Sequence, residues 1–354
     1  MKKRFVLFAF VAILFLCNFA LLEAGEELRE EVLREAPKAW VGYLKELRNI
    51  ETTEKSETRL ADGSLFGTSK SSWTVSFPFV LRTIEATVDG GSEKKLFIVN
   101  PNYSAVLESS SDSEKPWTIV KIEKVENGSL SKRKFPVIDN FSNHNPRLDL
   151  PRELQLQVNL AHALEFDELL FFPSFWNEKD FKILEITESK EDVGRVVRLD
   201  FLYRPEGVVG TVGPPVLQNG SVWLLPDRCW VIKKASYDSL QPPDRTEKDH
   251  FETEIEYRTP IGQIPLPSKI TRKTVSQHEE FSGETVIEYD WKQGIQPHDK
   301  KEYYLSYYGL PEPEFGTDAK WVRPALVLIG LLVLFVAYRF MSHRKDATDT
   351  GGKA

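Results

Sequence analysis

Phe251-Glu252-Thr253-Glu254-Ile255-Glu256-Tyr257-Arg258 decides the fold. Phe251, Thr253, Ile255 and Tyr257 fall on one side of an extended chain, and the three glutamates and Arg258 fall on the other, which is the period-two pattern of a strand with one dry and one wet face. The same alternation sets Thr285, Ile287, Tyr289 and Trp291 opposite Glu284, Glu288 and Asp290, and it places Val197, Leu199, Phe201 and Tyr203 together. Asp62-Gly63, Asp89-Gly90-Gly91, Asn127-Gly128 and Asn219-Gly220 lie between runs rich in Val, Ile, Thr and aromatics, where they read as hairpin turns. Alternation with hairpin turns predicts an antiparallel sheet, covered on one face and solvated on the other, of about ten or eleven strands.

Outward from the strands the grammar changes. From Glu26 to Arg48, Leu28, Val32, Ala36, Trp40, Leu44 and Leu47 recur at helical spacing among charges, and Pro37 predicts a break near Ala36. Mid-chain, Phe135 to Phe175 begins polar and becomes apolar. A short helix is expected from about Ala161 to Leu170, ending before Pro173. The run Phe171-Phe172-Pro173-Ser174-Phe175-Trp176 must be buried or must meet a ligand. Arg204 to Ser221, with Gly207, Gly210, Gly213, Gly220 and Pro214-Pro215, reads as a loop; the prolines deny it the helix start that a phosphate cradle needs. The fold expected is thus α+β, a strongly curved antiparallel half-barrel with covering helices.

Both ends carry membrane signals. Lys2, Lys3 and Arg4 precede an apolar run from Phe5 to Leu16, the layout of a secretory signal peptide over residues 1–24. Cys17 follows Leu16, so the small residue that precedes a lipidated cysteine is missing. Pro324 to Tyr338 contains no charge, and a helix over residues 321–340 would be about 30 Å long, enough for a single transmembrane span. Arg339, Arg344 and Lys345 follow it, which places residues 341–354 in the cytoplasm and the main domain, 25–308, outside. Residues 309–320 read as a spacer holding the domain off the bilayer. A single-pass protein of a bacterial cell membrane is expected, its main domain extracytoplasmic.

The chain has 354 residues, with 46 basic and 53 acidic side chains and a formal charge of −7, which excludes a broad field for nucleic acid. Two cysteines cannot build a disulfide framework or a zinc ribbon, and Cys229 reads as a small buried hydrophobe. His144, His162, His250, His278, His298 and His343 show no metal-ligand spacing, and no GxSxG elbow occurs. No catalytic constellation and no cofactor is therefore expected.

The order of elements resembles the bacterial lipoprotein-carrier family (LolA/LolB-like and outer-membrane-lipoprotein-sorting proteins): a leading helix with Trp40 and Tyr43-Leu44, hairpins through Trp73 to Val75 and Leu96 to Leu107, a mid-chain insertion, then strands in Phe181 to Tyr203 and Trp230 to Trp291. That resemblance implies an incomplete barrel whose concavity takes up acyl chains; a membrane span departs from the soluble carriers. The expected function is binding of a lipid or other apolar ligand, with Phe171, Phe172, Phe175, Trp176, Phe201, Tyr203, Tyr257, Tyr289 and Trp291 as candidate contacts. The alternative is a non-catalytic envelope module that binds a protein partner. Gly309-Leu310-Pro311-Glu312-Pro313 ahead of the apolar run is similar to PEP-type C-terminal sorting tails, though in those the helix follows at once.

Overall fold

A computed structural model describes residues 26–47, 49–76, 79–88, 91–110, 117–124, 162–167, 170–175, 179–205, 216–240, 248–258, 264–277, 282–293 and 299–315. The chain divides into two units, Met1–Pro311 and Glu312–Ala354. The signal segment, the Pro324 to Tyr338 run and the tail lie outside the described residues, among which no helix is long and apolar enough to cross a membrane.

The first unit is a helix, α1 (residues 26–46), set against one 13-stranded sheet. The N-terminal strands are β1 (Asn49–Leu60), β2 (Leu65–Ser76), β3 (Phe79–Val88), β4 (Gly91–Val99), β5 (Tyr103–Ser110) and β6 (Thr118–Lys124). A short covering segment follows, with a 3-10 turn at His162–Leu164, the paired β7 (Glu165–Asp167) and β8 (Leu170–Phe171), and a single helical turn, α2 (Phe172–Phe175). The remaining strands are β9 (Phe181–Glu191), β10 (Gly194–Tyr203), β11 (Val216–Leu225), β12 (Val231–Leu240), β13 (Lys248–Tyr257), β14 (Pro267–Val275) and β15 (Gly283–Gln293).

The order across the sheet is β6-β5-β4-β3-β2-β1-β15-β14-β13-β12-β11-β10-β9, all neighbours antiparallel. The sheet is two meanders joined at a seam where β1 lies along β15, from Ile50 opposite Gln293 to Leu60 opposite Gly283. Among the described residues it is open, with β6 and β9 at its edges. One core runs from Val99 on β4 to Val196 on β10, through ten neighbouring strands, and includes Val32, Ala36, Trp40, Tyr43, Leu44 and Leu47 of α1. Laid flat, ten strands would span roughly 40 Å, several times the width of a helix. A core shared with one helix and one short cover requires the sheet to bend around them, which gives the expected half-barrel its inner face.

On the opposite, outer face at the β6 end, Lys300–Tyr303 and Leu305–Tyr308 form two 3-10 turns that act as a strap. Asn100 Nδ2 donates to the Tyr303 carbonyl at 2.7 Å, and the Leu305 N–H donates to the Tyr103 hydroxyl at 2.8 Å. Tyr303 and Leu305 are buried there with Leu96, Ile98, Tyr103, Ala105 and Leu107. Strands β4 and β5 are therefore dry on both faces, which is why Leu96-Phe97-Ile98-Val99 is a continuous apolar run instead of an alternating one.

Four expectations change. The sheet has more strands than ten or eleven. The helix does not break at Pro37; α1 continues through it, because Val32, Ala36 and Trp40 form one buried stripe on both sides. The carbonyl that loses its N–H partner belongs to Leu33, 43% exposed and within reach of water. The helix expected over Ala161 to Leu170 is instead a 3-10 turn and a small hairpin, tied to the sheet by side-chain ion pairs rather than by a helical ladder. Asn219-Gly220 is not a turn. It is a bulge inside β11, where the register slips between Gln218 and Ser221 and Asn219 takes φ 50, so β11 begins within the stretch read as a loop. Gly220 is needed there because a Cβ would lie 2.4 Å from ring carbons of Phe201, its partner across the ladder. Residues 206–215 of that stretch, like Asn127-Gly128, lie outside the described residues.

Candidate functional site

The inner face carries large side chains over most of its area. Phe172, Phe201, Tyr203, Tyr289 and Trp291 are buried in the common core, and Tyr257 packs against it. Trp40 meets Phe172 edge-on at 5.6 Å between ring centroids, Phe172 meets Phe181 at 6.2 Å, and Phe181 lies 5.2 Å from Phe201. Tyr289 stacks on Trp291 at 5.7 Å. Polar tips find partners: Tyr257 Oη donates to the Ile232 carbonyl at 2.5 Å, Trp291 Nε1 to Pro267 O at 2.6 Å and Trp40 Nε1 to Trp230 O at 2.9 Å. The structure thus brings six of the nine candidate contacts together. Phe171 and Phe175 contribute backbone to β8 and α2, but their side chains, and all of Trp176, lie outside the described residues.

On β1, β2, β3, β14 and β15, inward side chains become small toward the β1–β2 hairpin, whereas at the same level of β12 and β13 Tyr237 stacks on Phe251 at 5.1 Å. Ser56, Thr58, Ser69, Ala86, Thr274 and Thr285 are half-buried. Ser56 and Ser69 hydroxyls share a hydrogen bond at 2.7 Å across β1 and β2, and those of Thr58 and Thr285 share one at 3.1 Å across the seam. These pairs satisfy the hydroxyls across the ladder, in the same inward phase as Ile84 and Ile287.

Where the large and small side chains meet stands a cluster that reading the sequence missed. His162, from the covering segment, lies with Nε2 2.9 Å from Glu54 Oε1 on β1 and Nδ1 3.0 Å from Glu165 Oε2 on β7. Carboxylate oxygens accept, so both ring nitrogens donate and the ring is an imidazolium. Burial opposes that charge, but Glu165 and Glu54 outweigh it and the pKa is pushed up to about 9. Burial also acts against the Glu54 carboxylate, and the His162 cation and Arg82 overcome it, holding its pKa below the usual carboxylate range. Arg272 Nη2 on β14 approaches Glu165 Oε2 at 3.5 Å, and Arg82 Nη2 on β3 approaches Glu54 Oε2 at 3.9 Å. Arg82 also lies over the Trp73 ring at 4.0 Å. The imidazolium rests on Tyr289, 5.1 Å away, and so spans from β1 to the segment that Arg272 meets from β14. Beside the cluster, Thr52 Oγ1 and Trp73 Nε1 are buried polar atoms without a hydrogen-bond partner. The sequence did carry a signal: Glu54, Arg82 and Arg272 stand in the inward phase of their strands, in step with Ile50, Val80 and Ile270.

Cys229 lies half-buried at the β11–β12 turn, where it and Trp230 take φ of 59 and 57. Burial raises its thiol pKa, so the side chain is a thiol and not a nucleophilic thiolate.

No family model and no curated protein matches the chain. Solved structures similar to it include an outer membrane lipoprotein-sorting protein domain from Vibrio parahaemolyticus, at 9% identity and TM-score 0.31, covering 77% of this chain and 99% of that one. A LolA superfamily protein from Nitrosomonas europaea is 12% identical at TM-score 0.36, covering 76% and 98%. The MucA/MucB complex of Pseudomonas aeruginosa gives 10% identity and TM-score 0.12, covering 73% and 94%. The first two belong to the family that the order of elements resembles.

Proposed function

We propose that this chain is an exported, membrane-anchored binding protein that takes a lipid or other apolar ligand along the inner face of its half-barrel, without catalysis. The observation that supports it is the gradation of that face. Bulky aromatics fill most of it, whereas toward the β1–β2 hairpin β1, β2, β3, β14 and β15 carry small, half-buried side chains, which we read as a trough with room for an acyl chain. An acyl chain lying in the trough would reach the aromatic core past the His162 cluster, and its burial is worth about 0.8 kcal/mol per methylene. Such a ligand needs no metal and no nucleophile.

The test is mass spectrometry of lipids that remain with the full chain after detergent exchange, compared with a Ser69→Trp variant whose indole occupies the trough. Lipid bound to the anchor is common to both proteins. Retention in the parent and loss in the variant is expected; equal retention in both, or none in either, overturns the reading.

A protein partner is the second reading, favoured by the open edge at β9, where Leu184 sits in an irregular pairing with β10 and is 62% exposed. A photo-crosslinking residue at position 184 that captures no protein in cells removes it.

A further inference from the structure

The strap does more than cover the outer face. Its grip on the sheet comes from Tyr303 and Leu305, both buried. Beyond them runs a row of rings that this packing does not require. Trp117, just before β6, meets Tyr308 edge-on at 6.4 Å, and Tyr308 meets Tyr307 edge-on at 5.1 Å. Trp117 and Tyr308 are half-buried, while Tyr307 is 57% exposed and Val120 on the adjoining edge strand is 54% exposed. Tyr308 Oη donates to the Glu302 carbonyl at 3.0 Å, which fixes its ring. Tyr and Trp, apolar in body and polar at the tip, are the side chains that settle at the boundary between headgroups and acyl chains.

The length of the chain bears on what can meet this row. The strap ends at Gly309, and the uncharged run begins at Pro324, 15 residues later. Even fully extended, that connection reaches only about 50 Å. The exposed rings are thus on the part of the folded unit tied closest to that run. Charge near the row is mixed: Lys94 lies 6.0 Å from the Trp117 ring but is paired with Glu85 at 2.7 Å, and Lys300 and Lys301 stand beside Asp299 and Glu302. Attraction by anionic lipid is therefore small here.

We propose that Trp117, Tyr307 and Tyr308 form the contact by which the folded domain rests on the headgroup region of its own bilayer, so that residues 309–320 let the domain down onto the membrane rather than hold it away. This rests on reading Pro324 to Tyr338 as a membrane span. The contact works through rings, so it holds on zwitterionic lipid.

The experiment uses the full chain with Cys17 and Cys229 changed to Ser and single labelling sites made by Tyr307→Cys, Phe66→Cys and Leu331→Cys. Phe66 is exposed at the β1–β2 hairpin, away from the strap. Each protein carries an environment-sensitive fluorophore and is reconstituted in phosphatidylcholine vesicles containing spin-labelled lipid, with quencher placed shallow or deep. The label at 331 should be quenched by the deep probe, and the label at 307 by the shallow probe, about threefold more than the label at 66. Quenching at 331 with 307 no different from 66 overturns the contact and leaves the span standing. No quenching at any site overturns the span, and the contact with it. A label at 307 hidden from aqueous iodide but untouched by lipid quenchers means that protein covers the row, which also overturns the proposal. Tyr307 packs no core, so melting temperatures of the labelled proteins should match and exclude misfolding as the cause.

Discussion

His162 shows how much one side chain can hold. Its imidazolium joins Glu54 of β1 to Glu165 of the covering segment, so a change to Ala leaves two carboxylates facing each other in a largely buried site and is expected to cost about 3 kcal/mol in chemical denaturation. The sign of the pH effect follows from the shift. An unfolded histidine titrates near 6.5 and the folded one at about 9, so the stabilisation is complete below pH 6.5 and is lost as pH rises through 9. Melting temperatures measured from pH 6 to 9.5 should fall in the parent relative to His162→Gln, which lacks the titrating group. Parallel curves would show that the ring carries no charge in the fold. Gly220 is the second decisive residue. Gly220→Ala drives a methyl into the Phe201 ring and should cost about 1–3 kcal/mol, and adding Phe201→Leu should recover part of that in a double-mutant cycle by urea unfolding.

At the scale of the element, α1 is held by packing more than by charge. Arg195 of β10 makes a bidentate bridge to Glu31 at 2.6 and 2.7 Å, yet both side chains are about a third exposed, and Arg195→Ala should cost under about 1 kcal/mol. Pro37, by contrast, sits inside the helix at a real local cost. Pro37→Ala restores the missing hydrogen bond and should stabilise by about 1–3 kcal/mol, read as a higher urea midpoint at unchanged slope. These two elements mark how far the sequence could be read. Alternation identified the inward phases of β10, β13 and β15 correctly, because each of those strands has one wet face. In Leu96 to Leu107 a hairpin was legible, but not which face is inward, because the strap removes the wet face and with it the alternation. Asn-Gly chemistry was read as a turn because the residue pair that reverses a chain also fits a bulge, and only the ladder tells the two apart. The ionic cluster escaped because its members come from β1, β3, β14 and the covering segment; no spacing links residues 54, 82, 162, 165 and 272.

At the scale of the molecule, the half-barrel works as a clasp between a helix inside and a strap outside, and the proposed trough is lined by small side chains that neither of them needs. Filling the trough should therefore affect binding without weakening the clasp: Ser69→Trp is expected to lose uptake of an acyl fluorophore by at least about tenfold with a melting temperature within a few degrees of the parent. A large drop in stability would instead mean that the trough is part of the core. The sheet's topology bears on how the protein is made. Strand β1 leaves the ribosome early and its partner β15 late, some 230 residues behind, so the first meander must wait with a bare eleven-residue edge until translation of the second is nearly complete. Until the seam is zipped, that bare edge is where self-association competes with folding.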